Sequence, residues 1–128
     1  MKMLFILAAF SLGANAFADL KSFTCKGINR AGQDLTIIYV EHADERQSVF
    51  ADVTIKVANG PSQNAENLSV YLDNEDGFSF GVTAKDGKWM FHLIEPPNML
   101  GNDQMAARYY YDHDFSIRNS VILACTPN

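Results

Sequence analysis

Cysteine is scarce in this chain: two residues, Cys25 and Cys125, among 128. That excludes a multi-disulfide scaffold. Two thiols so far apart also lack the clustered spacing of a thiolate metal site. After residue 18 no apolar run approaches the ~20 residues that a membrane-spanning helix needs. Basic charge is in deficit as well. Ten Lys and Arg against 15 Asp and Glu leave a net charge of −5, which speaks against nucleic acid and anionic membrane as partners. No helical pattern is long enough for a βαβ crossover. There is no Gly-x-Ser-x-Gly elbow and no phosphate-cradling glycine motif, so no cofactor is expected.

The N-terminus carries a pattern that is not part of a fold. Lys2 precedes an apolar run from Met3 to Leu12, and small residues follow at Ala14, Ala16 and Ala18. A basic start, a short apolar run and an A-x-A site in that order read as a secretory signal peptide. The expected cleavage is after Ala18, with Ala16 as the second choice. No Cys stands at the first mature position, so there is no lipoprotein signature. Residues 1–18 are read as the signal and 19–128 as one domain, exported to the periplasm or the outside. Losing Lys2 takes the net charge from −5 to −6. In an oxidising compartment, Cys25 and Cys125 are expected to form one disulfide.

Period-two alternation dominates the mature chain. Val49, Ala51, Val53, Ile55 and Val57 share one face, with Phe50 interrupting the polar face. Leu68 to Leu72, Phe78 to Ala84 and Trp89 to Ile94 alternate in the same way. Leu20–Ile28, Asp34–Glu41 and Ser116–Thr126 supply further strands. The stretch 103–111 reads as a short helix capped by Asp103 or as a strand ending in Tyr109-Tyr110-Tyr111, its second half favouring strand. Asp86-Gly87 suits a type I′ hairpin turn, Asp73–Gly77 a polar turn, and Asn59–Asn64 a loop. The sum is an all-β domain: a small antiparallel barrel or sandwich of about eight strands closed by one disulfide.

Few side chains suggest chemistry. His42, His92 and His113 are too widely spaced for a paired-histidine metal motif. Asp73–Gly77 fails the EF-hand pattern, because its Gly falls at position five and Ala84 stands at position twelve. The cluster Asp112-His113-Asp114 is the one arrangement that resembles a carboxylate-oriented general base. A polar turn between strands is the preferred reading of it. Aromatics are more suggestive. Phe50, Tyr71, Tyr109, Tyr110 and Tyr111 break or sit outside the inward pattern. An outward cluster of Phe50, Tyr71 and Tyr110 is the candidate binding patch, and cross-strand pairing that stabilises the sheet is the other, preferred reading. The loop Pro96–Leu100 also looks like an apolar contact loop.

Phe23-Thr24-Cys25-Lys26-Gly27, followed by Leu35-Thr36-Ile37-Ile38-Tyr39, resembles the opening of the periplasmic lysozyme-inhibitor family of small β-barrels. The likeness covers under a fifth of the chain. That family's inhibitory Ser-Gly-x-x-Tyr loop has no counterpart, Ala106-Ala107-Arg108-Tyr109 being its nearest echo. The resemblance implies a small exported barrel, and no site residue is carried over from it.

These observations favour a non-catalytic exported domain that binds a protein or an envelope component. A carrier of a small apolar ligand in a barrel cavity is the alternative, and a hydrolase-like enzyme using Asp112, His113 and Asp114 is the third reading. The signal reading has a direct check. The exported protein is expected to have the intact mass of residues 19–128 with both cysteines oxidised. A mass that retains Met1 overturns the assignment.

Overall fold

A computed structural model describes residues 20–73, 79–94 and 105–128. The expected signal segment, the polar turn after Asp73, Phe78 and the loop Pro96–Leu100 lie outside these residues. The chain runs through β1 (Ser22–Ile28), β2 (Asp34–Ala43), β3 (Val49–Val57), β4 (Gln63–Ser69), β5 (Tyr71–Asp73), β6 (Ser79–Thr83), β7 (Met90–Ile94) and β8 (Met105–Tyr110). A 3-10 turn, Ile117–Asn119, leads into β9 (Ser120–Pro127). The stretch 103–111 therefore resolves to strand over its described part.

All pairings are antiparallel, in the order β4-β3-β2-β1-β9-β8-β7-β6-β5. Only Val70 separates β4 from β5, the two edges of that order. They are two arms of one bent strand: the first pairs with β3, the second with β6. Eight strands thus wrap into a nearly closed barrel, and a sandwich is not formed. Closure removes most of the free edge that an open sheet would expose.

Alternation carries the packing. Ile37 and Tyr39 are fully buried while their neighbours Ile38 and Val40 are exposed. Ala51, Val53 and Ile55 point inward from β3, and Val121, Leu123 and Cys125 from β9. Tyr39 stacks on Phe91 with ring centres 5.5 Å apart and tilts against Phe80 at 5.9 Å. Among the described residues the interior is filled by these rings and by Leu68, Val82, Leu93 and Ala107. The Tyr39 hydroxyl inside this core donates to Glu41 Oε2. Burial and the neighbouring Glu41 carboxylate hold that phenol far above its ordinary pKa.

Three local features depart from the expected pattern. β4 begins at Gln63, inside the segment read as a loop, because its outer residues are polar and exposed and give no alternation. Glu66 and Asn67 together oppose Asp52, a β-bulge that bends β4. Asn67 takes a left-handed φ of 57°, and its N–H donates to Asp52 Oδ1 at 3.0 Å. The β6–β7 turn is wider than a type I′ turn: the loop runs from Lys85 to Lys88, with Gly87 N–H donating to Ala84 O at 2.9 Å. Only Gly87 is left-handed there, with φ 74°. Gly81 is required by close approach, since a Cβ would lie 2.3 Å from Phe91 O.

Cys25 and Cys125 are direct partners across β1 and β9, their Cα atoms 4.0 Å apart, and they are disulfide-bonded. Both are buried. The bond spans a sequence separation of 100 residues. Chain-entropy arguments assign about 4.7 kcal/mol to a loop of that size, and natural disulfides of small exported domains contribute about 2–5 kcal/mol. Reduction, or replacement of both cysteines by Ala, is expected to lower the unfolding free energy in urea by an amount in that range. An unchanged midpoint would show that the seam is held by strand pairing alone.

Candidate binding site at the open end of the barrel

The two barrel ends differ. Both described termini and the β2–β3 turn lie at one end. There Glu41 Oε1 accepts the Lys21 N–H at 2.9 Å, while Oε2 takes the Tyr39 hydroxyl. The Lys21 ammonium sits 4.9 Å from the centre of the Phe80 ring. This polar network secures the strand ends around the core.

The opposite end gathers four connections: residues 29–33, 58–62, 84–89 and 111–119. Each is held by its own bonds. Asn29 Oδ1 accepts the Gln33 N–H at 2.9 Å, and Gly32 at φ 80° completes that turn. Asp86 Oδ1 accepts the Lys88 N–H at 3.0 Å. Asn119, the buried polar residue of the described core, donates through its amide to the carbonyls of Tyr111 and Asp114. The His113 N–H donates to Lys88 O at 2.9 Å, tying two of the connections together.

Aromatic side chains rise from this framework. Trp89 stacks on Tyr109 with ring centres 6.1 Å apart, and Tyr109 meets Tyr111 at the same spacing. The Arg30 guanidinium lies 5.7 Å from the Tyr111 ring centre. All three rings are half-buried. The Tyr111 hydroxyl is shielded from water and has no hydrogen-bond partner among the described residues, against the usual pairing of buried polar atoms. Burial first, then the charge of Asp112, pushes the Tyr109 pKa up to about 12.

Three hollows surround these rings. One of about 610 Å³ opens where β4 and the β6–β7 hairpin diverge, floored by Ile55 and Leu68 and walled by Trp89. A second, of about 480 Å³, lies over Leu35, Ile55 and Val57 between Pro61 and Tyr111. It shares Ile55 and Gln63 with the first. A third, of about 340 Å³, holds Arg30, Arg108 and Arg118 and shares Arg30 and Tyr111 with the second. The three adjoin through these shared lining residues and are taken together as a groove around one barrel end. No protein family, curated protein or solved structure matches this chain. The site is therefore defined by its own chemistry.

The residues singled out in the sequence fall elsewhere. Phe50 stacks on His42 at 6.0 Å on the outside of β2 and β3. Tyr71 tilts against His92 at 6.2 Å on the outside of β5 to β7, its hydroxyl over Gly81. Tyr110 meets Phe115 edge-on at 6.2 Å. The structure gives each a different partner and shows no ring contact among the three.

Asp112 and His113 form an exposed left-handed turn, with φ 56° and 60°. Asp114 Oδ1 caps the Ser116 N–H at 3.1 Å. None of the three lines the hollows described. His42 Nε2 lies 3.2 Å from Asp52 Oδ1 on the outer wall, so the three histidines occupy separate places. Among the described residues no cluster of three metal-binding side chains forms.

The groove residues were missed because no two of its four connections are adjacent in sequence. The available signal was the run Tyr109-Tyr110-Tyr111, which alternates between groove, outer wall and groove.

The Tyr109 phenol is held neutral in the fold. The folded chain thus keeps a proton that the unfolded chain releases near the ordinary value of 10.0. Stability from this residue is complete below pH 10 and is lost as pH rises from 10 towards 12. Tyr109→Phe is expected to flatten part of the fall in urea-unfolding free energy over that interval. An unchanged slope would place the Tyr109 hydroxyl in free solvent.

Proposed function

We propose that this is a non-catalytic binding domain of the exported compartment. It holds a protein or envelope component at the groove beneath Trp89, Tyr109 and Tyr111. The observation that carries the reading is the contrast between a filled interior and an aromatic groove at one end. A carrier that encloses its ligand needs central space, and here Tyr39, Phe80 and Phe91 occupy it. A surface binder needs rigid, half-buried aromatic anchors, because such rings contribute large contact area at low entropic cost. Trp89 is the chain's single tryptophan. Its position on Tyr109 makes it both an anchor and an optical reporter.

Export supports the same reading. The disulfide and the pinned turns suit a scaffold that keeps one geometry outside the cell. The acidic surface, with its net charge of −5, speaks against nucleic acid and anionic membrane surfaces as partners.

The test compares the native protein with Trp89→Ala and Tyr111→Ala, each immobilised and exposed to envelope extract from the source cell. A specific partner is expected on the native protein and is lost from both variants, while their thermal midpoints show intact folds. Loss of an anchor of this kind costs about 2 kcal/mol or more, roughly a thirtyfold drop in affinity. Retention of the same partner by both variants would move the binding surface away from this end. Absence of any specific partner would count against the function itself.

A further inference from the structure

Three of the chain's four arginines, Arg30, Arg108 and Arg118, line one small hollow at the end of the groove. In a chain of net charge −5 this concentration is unusual. Arg30 stands on the β1–β2 turn. It donates from Nη2 to Arg118 O at 2.5 Å while packing over the Tyr111 ring. Arg108 on β8 donates from Nη1 to Ser120 Oγ at 2.7 Å. Two guanidinium groups are thus oriented before any ligand arrives. Arg118 rises from the 3-10 turn and is exposed. Among the described residues, Arg30 and Arg118 form no ion pair with a carboxylate. Asp34, the strand partner of Ile28, and Asp112 and Asp114 of the β8–β9 turn make no salt bridge with either of these arginines.

The surroundings add an apolar component. Ile28 and Ile122, both in the lining of this hollow, remain 62% and 43% exposed. Arg108 is the direct strand partner of Ile122. On the other side, Arg30 and Tyr111 connect the hollow to the apolar floor at Leu35 and Val57.

We infer that this hollow is the anion subsite of the groove, and that the ligand carries a carboxylate or phosphate group beside an apolar or aromatic one. The inference rests on the binding reading above and specifies the class of ligand. Guanidinium forks match the paired oxygens of such groups and bind them by charge-assisted hydrogen bonds. The aromatic or apolar part lies against Tyr111 and the groove floor, within reach of the Trp89–Tyr109 stack.

Four probes separate the parts of this proposal: 3-phenylpropionate, phenyl phosphate, the neutral 3-phenylpropanol and inorganic phosphate. Each is titrated into the mature, disulfide-bonded protein. Backbone and arginine side-chain NMR shifts report the hollow, and Trp89 fluorescence reports the groove. The two aromatic anions are expected to shift Arg30, Arg118 and Tyr111 and to bind about tenfold more tightly than the alcohol. Inorganic phosphate is expected to shift the arginines alone, more weakly. Arg30→Gln and Arg118→Gln are each expected to reduce the preference for anion over alcohol several-fold, and Arg30→Lys to restore part of it. Preference for phenyl phosphate or for phenylpropionate tells which oxyanion the subsite suits. Equal affinity for the alcohol and the anions overturns the anion subsite while leaving the groove reading intact. So does the absence of any shift at Arg30 or Arg118 with either aromatic anion up to ~20 mM. A response at Trp89 without one at the arginines distinguishes failure of the subsite from failure of the groove.

Discussion

The pairing of the first strand with the last is the contact on which the rest of the barrel depends. Cys25 faces Cys125 across β1 and β9, so the two ends of the described chain meet in the middle of the sheet. This is also the contact with the greatest loop-closure cost, because about 100 residues must be gathered before it forms. Once it is made, strands extend in both directions from the seam, β1 through β4 on one side and β9 through β5 on the other. The far edges must then meet in the middle of the chain. The bent strand at Val70 accomplishes that by pairing with both sides. A single covalent bond thereby fixes the seam opposite the one that stays partly open.

The partial opening has a local cause. Beyond the bulge at Glu66 and Asn67, the outer arm of β4 pairs with β3 alone, and Val82 and Thr83 of β6 pair with β7 alone. The wall therefore splits towards one end, where the four connections converge. Asp52 participates directly by accepting the Asn67 N–H, and the same carboxylate oxygen lies against His42. An outer-wall contact thus helps shape a groove that opens on the other side of the strand. The opposite barrel end differs: Glu41 links Lys21 to the Tyr39 hydroxyl, anchoring polar groups close to the core. The aromatic groove and the polar anchoring network thus lie at different ends.

Strands with one buried and one exposed face were legible in the sequence. Val53 and Ile55 of β3, Phe91 and Leu93 of β7, and Leu123 and Cys125 of β9 announce their faces by alternation. The disulfide followed from the expectation of export and from a count of two cysteines. β4 was less legible because most of its residues face water, and its one buried residue, Leu68, follows the bulge. Phe50, Tyr71 and Tyr110 meet three different partners, His42, His92 and Phe115, which only the three-dimensional register shows. The groove was least legible. Arg30, Gln63, Trp89 and Tyr111 belong to four segments, and only the order of strands around the barrel brings them to one end.

That origin also bears on how the groove would select a ligand under the binding function proposed above. The protein's overall field is negative and repels anions at distance, although the Debye length of about 8 Å at physiological ionic strength limits its reach. At contact the balance reverses, because the Arg30 guanidinium is held against Tyr111 and Arg118 O. Long-range repulsion combined with short-range attraction gives little electrostatic steering and rewards a close fit. A bare anion gains the arginine contacts and little else. A ligand that also covers Ile122 or the tyrosine rings adds apolar burial worth roughly 25 cal/mol per Å² before the costs of association. In the proposed anion subsite, arginines placed at the edge of an apolar groove in an acidic protein would thus discriminate by requiring charge and apolar surface in the same ligand.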